Sequence, residues 1–323
     1  MTISRRAKFV RWLTGKYIKG LDVPHLPVEK ARAQFERVAG RFLIRATGVD
    51  VEQTQIAGVD VDWLRPKNAR RDKVLLYLHG GAYVMGSPRT HRQLVSHTVR
   101  AAGVVAVLPD YRLAPEHPFP AAIDDAVAVY RGLLESGFSA EDIIISGDSA
   151  GGALTVATLL QLRHAGVPMP AAAVLLSPFL DITGSGESAT TRADRDPWFD
   201  IADLHVVAAY YCPDESEWRN PLVSPVFANV AGLPPMLIQV GDDEILLSDS
   251  TRLAEKLEAE GIEVELEVWP HMWHVFQMFI HKMPESGAAV RKIAAYIQRR
   301  FSQSGHERDN GPEVSPINRP VDP

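Results

Sequence analysis

Cysteine is nearly absent. Cys212 stands alone in 323 residues, which excludes an intramolecular disulfide and any multi-cysteine zinc or iron-sulfur site, and it fits a reducing, cytoplasmic compartment. Long apolar runs are missing as well: none approaches the roughly 18 residues of a membrane span, and the longest, such as that around Val174 to Leu176, have the length of a strand. An excess of basic charge is also lacking. Against 34 Lys and Arg stand 40 Asp and Glu, a formal charge of -6, so no chain-wide field draws a polyanion and nucleic acid loses its electrostatic support as a partner. Neither G-x-G-x-x-G nor G-x-x-x-x-G-K-[ST] occurs, which removes the usual warrant for dinucleotide or nucleoside-triphosphate binding, and no cofactor is implied. No repeat recurs at a fixed period.

What is present is ordinary globular material, with 46% hydrophobic and 23% charged residues, enough chain to bury a large core. The first 21 residues carry Arg5, Arg6, Lys8, Arg11, Lys16 and Lys19 with no acid. Ile3, Ala7, Val10, Leu13, Tyr17 and Leu21 recur there at three- and four-residue spacing, which predicts an amphipathic helix with one apolar and one basic face. No continuous apolar stretch makes it a secretory signal; the expectation is an accessory helix packed on the body, whose basic face is compatible with weak association with a surface.

Short β-rich runs then alternate with helix-period segments. Lys73 to Leu78, Val104 to Leu108, Ile143 to Ser146, Ala172 to Leu176, Met236 to Val240 and Val264 to Val268 read as strands. Helices are expected at Thr90 to Ala102, Ala121 to Leu134, Ala150 to His164, Ser250 to Glu260 and Ala288 to Phe301. Alternation of this kind predicts a mostly parallel, doubly wound α/β sheet with helices on both faces. The aromatic and proline-rich stretch 185–230 breaks the rhythm and reads as an inserted helical cap. The expected organisation is N-terminal cap helices over 1–45, a body over 46–184 and 231–302, the insertion over 185–230, and a disordered tail over 303–323.

The sharpest local feature is Gly147-Asp148-Ser149-Ala150-Gly151-Gly152, between a predicted strand and a predicted helix. A strand-to-helix turn this tight forces its serine into a strained backbone and leaves no room for bulky neighbours, so the hydroxyl projects from the sheet edge as a nucleophile. His79-Gly80-Gly81-Ala82 follows another strand. Its small residues let main-chain N–H groups approach a developing oxyanion, and Gly81, Ala82 and Ala150 are the expected donors. An activated serine also needs a base and an orienting acid, expected in the order serine, acid, histidine. Gly241-Asp242-Asp243-Glu244 and Pro270-His271-Met272-Trp273-His274 lie just beyond the carboxyl ends of two predicted strands, where catalytic groups of open α/β sheets gather. Spacing alone does not choose between His271 and His274.

These residues resemble the hormone-sensitive-lipase-like carboxylesterases of the α/β-hydrolase superfamily. The similarity spans roughly residues 40 to 300 and rests on HGGAYVMGSPRTH (79–91), DYRLAPEHPFPAA (110–122), GDSAGG (147–152), GDDEILL (241–247) and HVF (274–276). It implies an α/β-hydrolase fold, Ser149 as nucleophile and His274 as base, with His271 a bystander. Two departures stand out. Ala82 occupies the place where many relatives have a third glycine, and is expected to take ordinary backbone angles. Many relatives also carry an aspartate followed by Pro-Leu about 30 residues before the histidine, where this chain has Glu244-Ile245-Leu246; Glu244 is therefore assigned as the acid, with Asp243 and Asp249 as alternatives.

The resemblance implies a cofactor-independent serine esterase acting on small esters with short to medium acyl chains, and it is compatible with a homodimer. Two other readings share the fold: a hydrolase of lactones, thioesters or amides using the same residues, and a ligand receptor without turnover. Trp198, Phe199, Tyr210 and Tyr211 are candidate pocket walls. Arg112, Glu116 and His117 are expected to form a structural loop, His79 to bond within its own loop, Asp148 to brace the serine turn, and Cys212 to be inert. His271 and His274 lack a third clustered ligand, so no metal is expected.

Overall fold

The computed structural model describes residues 3–17, 19, 26–42 and 47–309. Eight strands form one sheet: β1 (Val49–Ile56), β2 (Val59–Pro66), β3 (Arg70–Leu78), β4 (Val104–Pro109), β5 (Ile143–Asp148), β6 (Ala172–Leu176), β7 (Met236–Gly241) and β8 (Val264–Trp269). Their order is β1-β2-β4-β3-β5-β6-β7-β8, antiparallel through β1, β2 and β4 and parallel from β4 to β8. The six parallel strands are those expected from the β-rich runs. The β1–β2 hairpin was not expected; it turns on Ala57 and Gly58, both at positive φ (51° and 82°), a two-residue turn that matches strand twist.

Nine α-helices are described: α1 (Arg5–Tyr17), α2 (Val28–Phe42), α3 (Pro88–Ala102), α4 (Ala121–Glu135), α5 (Ala150–His164), α6 (Ser188–Thr191), α7 (Ile201–Tyr211), α8 (Leu247–Ala259) and α9 (Pro284–Asp309). Each central strand feeds two cores, because successive side chains point to opposite faces. Val74, Leu76 and Leu78 of β3 pack with α4, α5 and α8, while Leu75 and Tyr77 pack with α3 and α9. Each such leucine, fully buried, contributes about 2 kcal/mol. Ser87 and Thr90 cap α3 reciprocally, with Pro88 in its first turn and Gly103 closing its end at φ 73°.

Helix α1 packs Ala7 and Val10 inward, as the spacing predicts, and Thr14 with them, whereas Leu13 of the predicted stripe is half-buried, Tyr17 is exposed and Leu21 lies outside the described residues. At the other end, α9 runs to Asp309, past residue 303 where a disordered tail was expected to begin, because the helical backbone continues through a polar stretch that composition alone marks as tail. Residues 310–323 of that expected tail lie outside the described residues. Among the described residues no helix is long and apolar enough to cross a membrane.

Candidate active site

The carboxyl ends of the parallel strands gather the residues that the sequence singled out. Ser149 sits between β5 and α5 at φ 53°, ψ −123°. Its amide donates to Leu176 O (2.9 Å), and its carbonyl accepts from Gly152 N (3.0 Å) and Phe179 N (2.9 Å), so the strained turn is held from both sides. Gly151 is obligatory: a Cβ there would lie 2.0 Å from Leu78 O. Ala150 opens α5, where an N–H has no intrahelical acceptor and points past the helix end.

The loop after β3 faces this turn. Gly81 has φ 125°, and a Cβ on it would lie 2.1 Å from Met85 O. Its carbonyl accepts from Val84 N (3.0 Å) and Met85 N (2.9 Å), which curls the loop into a tight turn. Ala82 adopts φ 56° and Tyr83 φ 61°, so the expectation of ordinary angles at Ala82 is corrected. The curl demands left-handed backbone whatever residue stands there, at a cost to alanine of about 1 kcal/mol. The Gly80 amide donates to Asp148 Oδ1 (3.1 Å). Among the described residues, the amides of Gly81 and Ala82 donate to no protein acceptor. Arg32 of α2 fastens the loop from outside, its Nε donating to Val84 O (2.7 Å) and its Nη2 to Ala114 O (2.8 Å).

Asp148 braces the turn to this loop. Buried, it accepts from Tyr77 Oη (2.8 Å), Gly80 N and His91 Nε2 (3.3 Å). His91 Nδ1 lies beside Thr90 Oγ1 (2.8 Å) and Ser87 O (3.2 Å), so both ring nitrogens have partners in the protein. Burial works against both charges, yet each partner outweighs it: His91 is held above the usual histidine range and Asp148 below the usual carboxylate range. His79, stacked between His91 and Tyr111, is driven down to about 3 by burial and then by His91, and its Nδ1–H donates to Gly80 O (2.9 Å).

On the far side, His274 follows β8 and Glu244 follows β7. His274 Nδ1–H donates to Glu244 Oε2 at 3.1 Å, both groups buried. Glu244 Oε1 accepts from the Gly241 amide and from Ser177 Oγ (2.9 Å). Ser177, at φ 44° beyond β6, also accepts from Val275 N at 3.1 Å. Among the described residues no protein group is hydrogen-bonded to His274 Nε2. The two alternative acids face elsewhere. Asp243 pairs with Arg11 Nη1 (2.8 Å) and Arg195, and Asp249 accepts from Leu180 N (2.7 Å) and Asp181 N (2.9 Å). Burial first, then Asp181, pushes Asp249 well up. His271 is half-exposed beside Asp242 and Asp243. Those three bring ligand-type atoms within 4.8 Å of one another, but two guanidinium groups already occupy Asp243.

Phe199 and Trp198 stand edge-on to His274, with ring centroids 4.8 Å and 5.9 Å away. Asp196 holds them there, accepting from Trp198 N (2.7 Å) and Ile245 N (2.9 Å). Tyr211 instead stacks on Tyr83 at 3.7 Å, and Tyr210 packs with Val84, Ala114 and Val207. Arg112 pairs with Asp125 (2.7 Å) and Glu116 with Arg32 (2.7 Å), as structural contacts of their loop. Cys212 is buried, and burial raises its thiol pKa. Sequence reasoning missed two groups, His91 and Ser177. His91 closes the HGGAYVMGSPRTH stretch, which is the one signal that could have found it; Ser177 has none.

A family model described as alpha/beta hydrolase fold matches residues 75–278. An acetyl-hydrolase of Streptomyces hygroscopicus is 45% identical over 238 residues, 73% of this chain and 79% of its own. An esterase of Acinetobacter venetianus is 38% identical over 248 residues, covering 77% and 82%. The crystal structure of an esterase from the bacterial hormone-sensitive lipase family superposes with a TM-score of 0.87 at 40% identity, over 93% of this chain and 100% of that one.

Proposed function

This chain belongs to the hormone-sensitive-lipase-like group of the α/β-hydrolase family and is an ester hydrolase, and on that premise we propose that it cleaves small carboxylic esters through an acyl-enzyme on Ser149. Ser149 Oγ attacks the ester carbonyl while His274 Nε2 takes its proton. The bond from carbonyl carbon to alkoxy oxygen then breaks, and His274 returns the proton to the departing alkoxide. Water repeats the sequence in reverse roles: His274 takes its proton, the hydroxide adds to the acyl carbon, and the acid leaves as Ser149 recovers its hydrogen. Glu244 keeps the Nδ1–H tautomer and stabilises the imidazolium. The amides of Gly81, Ala82 and Ala150 receive the oxyanion.

The observation that carries this reading is the buried His274–Glu244 bond of 3.1 Å at the sheet edge that also bears the strained Ser149. Phe199 and Trp198 wall the imidazole, which favours apolar acyl chains of short to medium length, and the segment 185–230 and the N-terminal helices act as the cap over the site. The buried lone Cys212 supports a cytoplasmic setting.

Hydrolysis of p-nitrophenyl esters from acetate to palmitate, by wild type and Ser149→Ala in parallel, tests it. Turnover of the shorter esters by wild type and its loss by about four orders of magnitude in the variant is expected. A variant within tenfold of wild type sinks the nucleophile, and a wild type inert on every ester turns the search to lactones and thioesters.

A further inference from the structure

Helix α1 has two faces of opposite purpose. Its inner face is fixed to the body: Ala7 and Val10 pack against Met272, Trp273 and Phe276, and Glu285 accepts from Ser4 N (2.7 Å) and Ser4 Oγ (3.0 Å) at the helix start. Arg11 donates to Asp243 (2.8 Å) and His271 O (3.2 Å). The helix is thus anchored, and its outer face is presented in a set orientation.

That outer face is not the usual solvated one. Arg5, Phe9, Trp12 and Lys16 follow one another at spacings of four, three and four, a single stripe opposite Ala7, Val10 and Thr14. Phe9 is 59% exposed, Trp12 56% and Tyr17 58%; among the described residues the one other exposed large apolar side chain is Val268, at 41%. Phe9 and Trp12 stack at 6.1 Å, and Lys16 Nζ lies 5.1 Å from the Trp12 ring and 5.4 Å from that of Tyr17. Arg6 and Lys8 flank the stripe, the helix contains no acid, and among the described residues Arg5, Arg6 and Lys8 make no ion pair.

We propose that this outer face of α1 docks on a lipid bilayer bearing anionic headgroups. Exposed aromatic rings ordered beside cations match the boundary between headgroup and acyl chain, where rings enter the interface and ammonium and guanidinium groups meet phosphate. Charge also selects against a second copy of the chain, since two such faces would set cation against cation with no acid on either. The docking needs no spanning segment, and it does not depend on the hydrolytic reading.

Cosedimentation of the full chain with extruded vesicles tests the proposal. Partition onto phosphatidylcholine mixed with phosphatidylglycerol is expected to exceed that onto phosphatidylcholine alone by about tenfold or more, and to collapse in high salt. Two double variants, Phe9→Ser with Trp12→Ser and Arg5→Glu with Lys8→Glu, should each lose about tenfold in partition while keeping the wild-type thermal midpoint, because the altered side chains are exposed. Absence of binding to the anionic vesicles, or variants that bind as wild type does, overturns the proposal. So does a concentration-dependent dimer abolished by the same variants, which assigns the face to a second copy.

Discussion

Two buried carboxylates in this molecule have the same coordination and opposite uses. Asp148 accepts from an imidazole, a backbone amide and a hydroxyl: His91, Gly80 and Tyr77. Glu244 accepts from His274, Gly241 and Ser177. The difference lies on the far nitrogen of each ring. His91 is held on both sides, by Asp148 at Nε2 and by Thr90 Oγ1 and Ser87 O at Nδ1, and it ties the loop after β3 to the serine turn. His274 is tied on one side, to Glu244, and in the proposed mechanism its Nε2 carries the proton between Ser149 and the leaving group. A buried His–carboxylate pair is therefore a brace or a base according to what its second nitrogen meets.

Replacing each histidine separates the two roles most widely. His274→Gln should lower kcat by about four orders of magnitude with the thermal midpoint kept, while His91→Gln should keep kcat within about tenfold and lower stability by about 3 kcal/mol, the cost of leaving a buried charge short of its partner. Parallel kinetics and thermal melts check this, and equal losses of activity in the two variants would erase the distinction. A smaller loss is expected of Ser177→Ala, which removes a donor to Glu244 and should lower kcat about tenfold, since a hydrogen bond to a charged group contributes about 1.5 kcal/mol. An unchanged kcat would mean that Ser177 only supports the backbone of its turn.

How much of this was legible beforehand follows from where each interaction lies along the chain. The inner parallel strands announce themselves as apolar runs because both their faces are covered, whereas β8 at the edge alternates Val and Leu with Glu and is only partly buried. The β1–β2 hairpin does not: β1 at the sheet edge exposes half of its residues, and its turn uses Ala57 where Asn would have signalled it. Ser149 and the 79–82 loop are local motifs. Ser177 reaches Glu244 across 67 residues and His91 reaches Asp148 across 57, and such meetings depend on which strands become neighbours. The left-handed angles of Ala82 are likewise imposed by the curl of its loop.

The acid register sharpens the same lesson. Asp243 and Glu244 are adjacent in sequence, yet the backbone turns one toward Arg11 and Arg195 and the other toward His274. Asp243→Asn should leave kcat within about threefold and cost up to about 1 kcal/mol of stability, as its arginine partners are partly exposed. Glu244→Gln should lower kcat by about a hundredfold or more. The reverse ranking, read from steady-state kinetics of both variants, would move the acid to Asp243.

The smallest effect concerns the charge of the brace itself. His91 has a folded pKa above its ordinary 6.5, so the stability it contributes is fully present below that value and is lost as pH rises through the folded one. Asp148 has a folded pKa below its ordinary 3.8, so its contribution is present above that value and is lost as pH falls through the folded one. Between those two ordinary values both groups contribute in full. The difference in thermal midpoint between wild type and His91→Gln should therefore be widest near pH 5 to 6, taken as about the middle of that window, and should narrow as the solution is made alkaline. A difference that stays flat from acid to alkaline pH would mean that His91 is neutral in the folded chain, and the contrast with His274 would then rest on position alone.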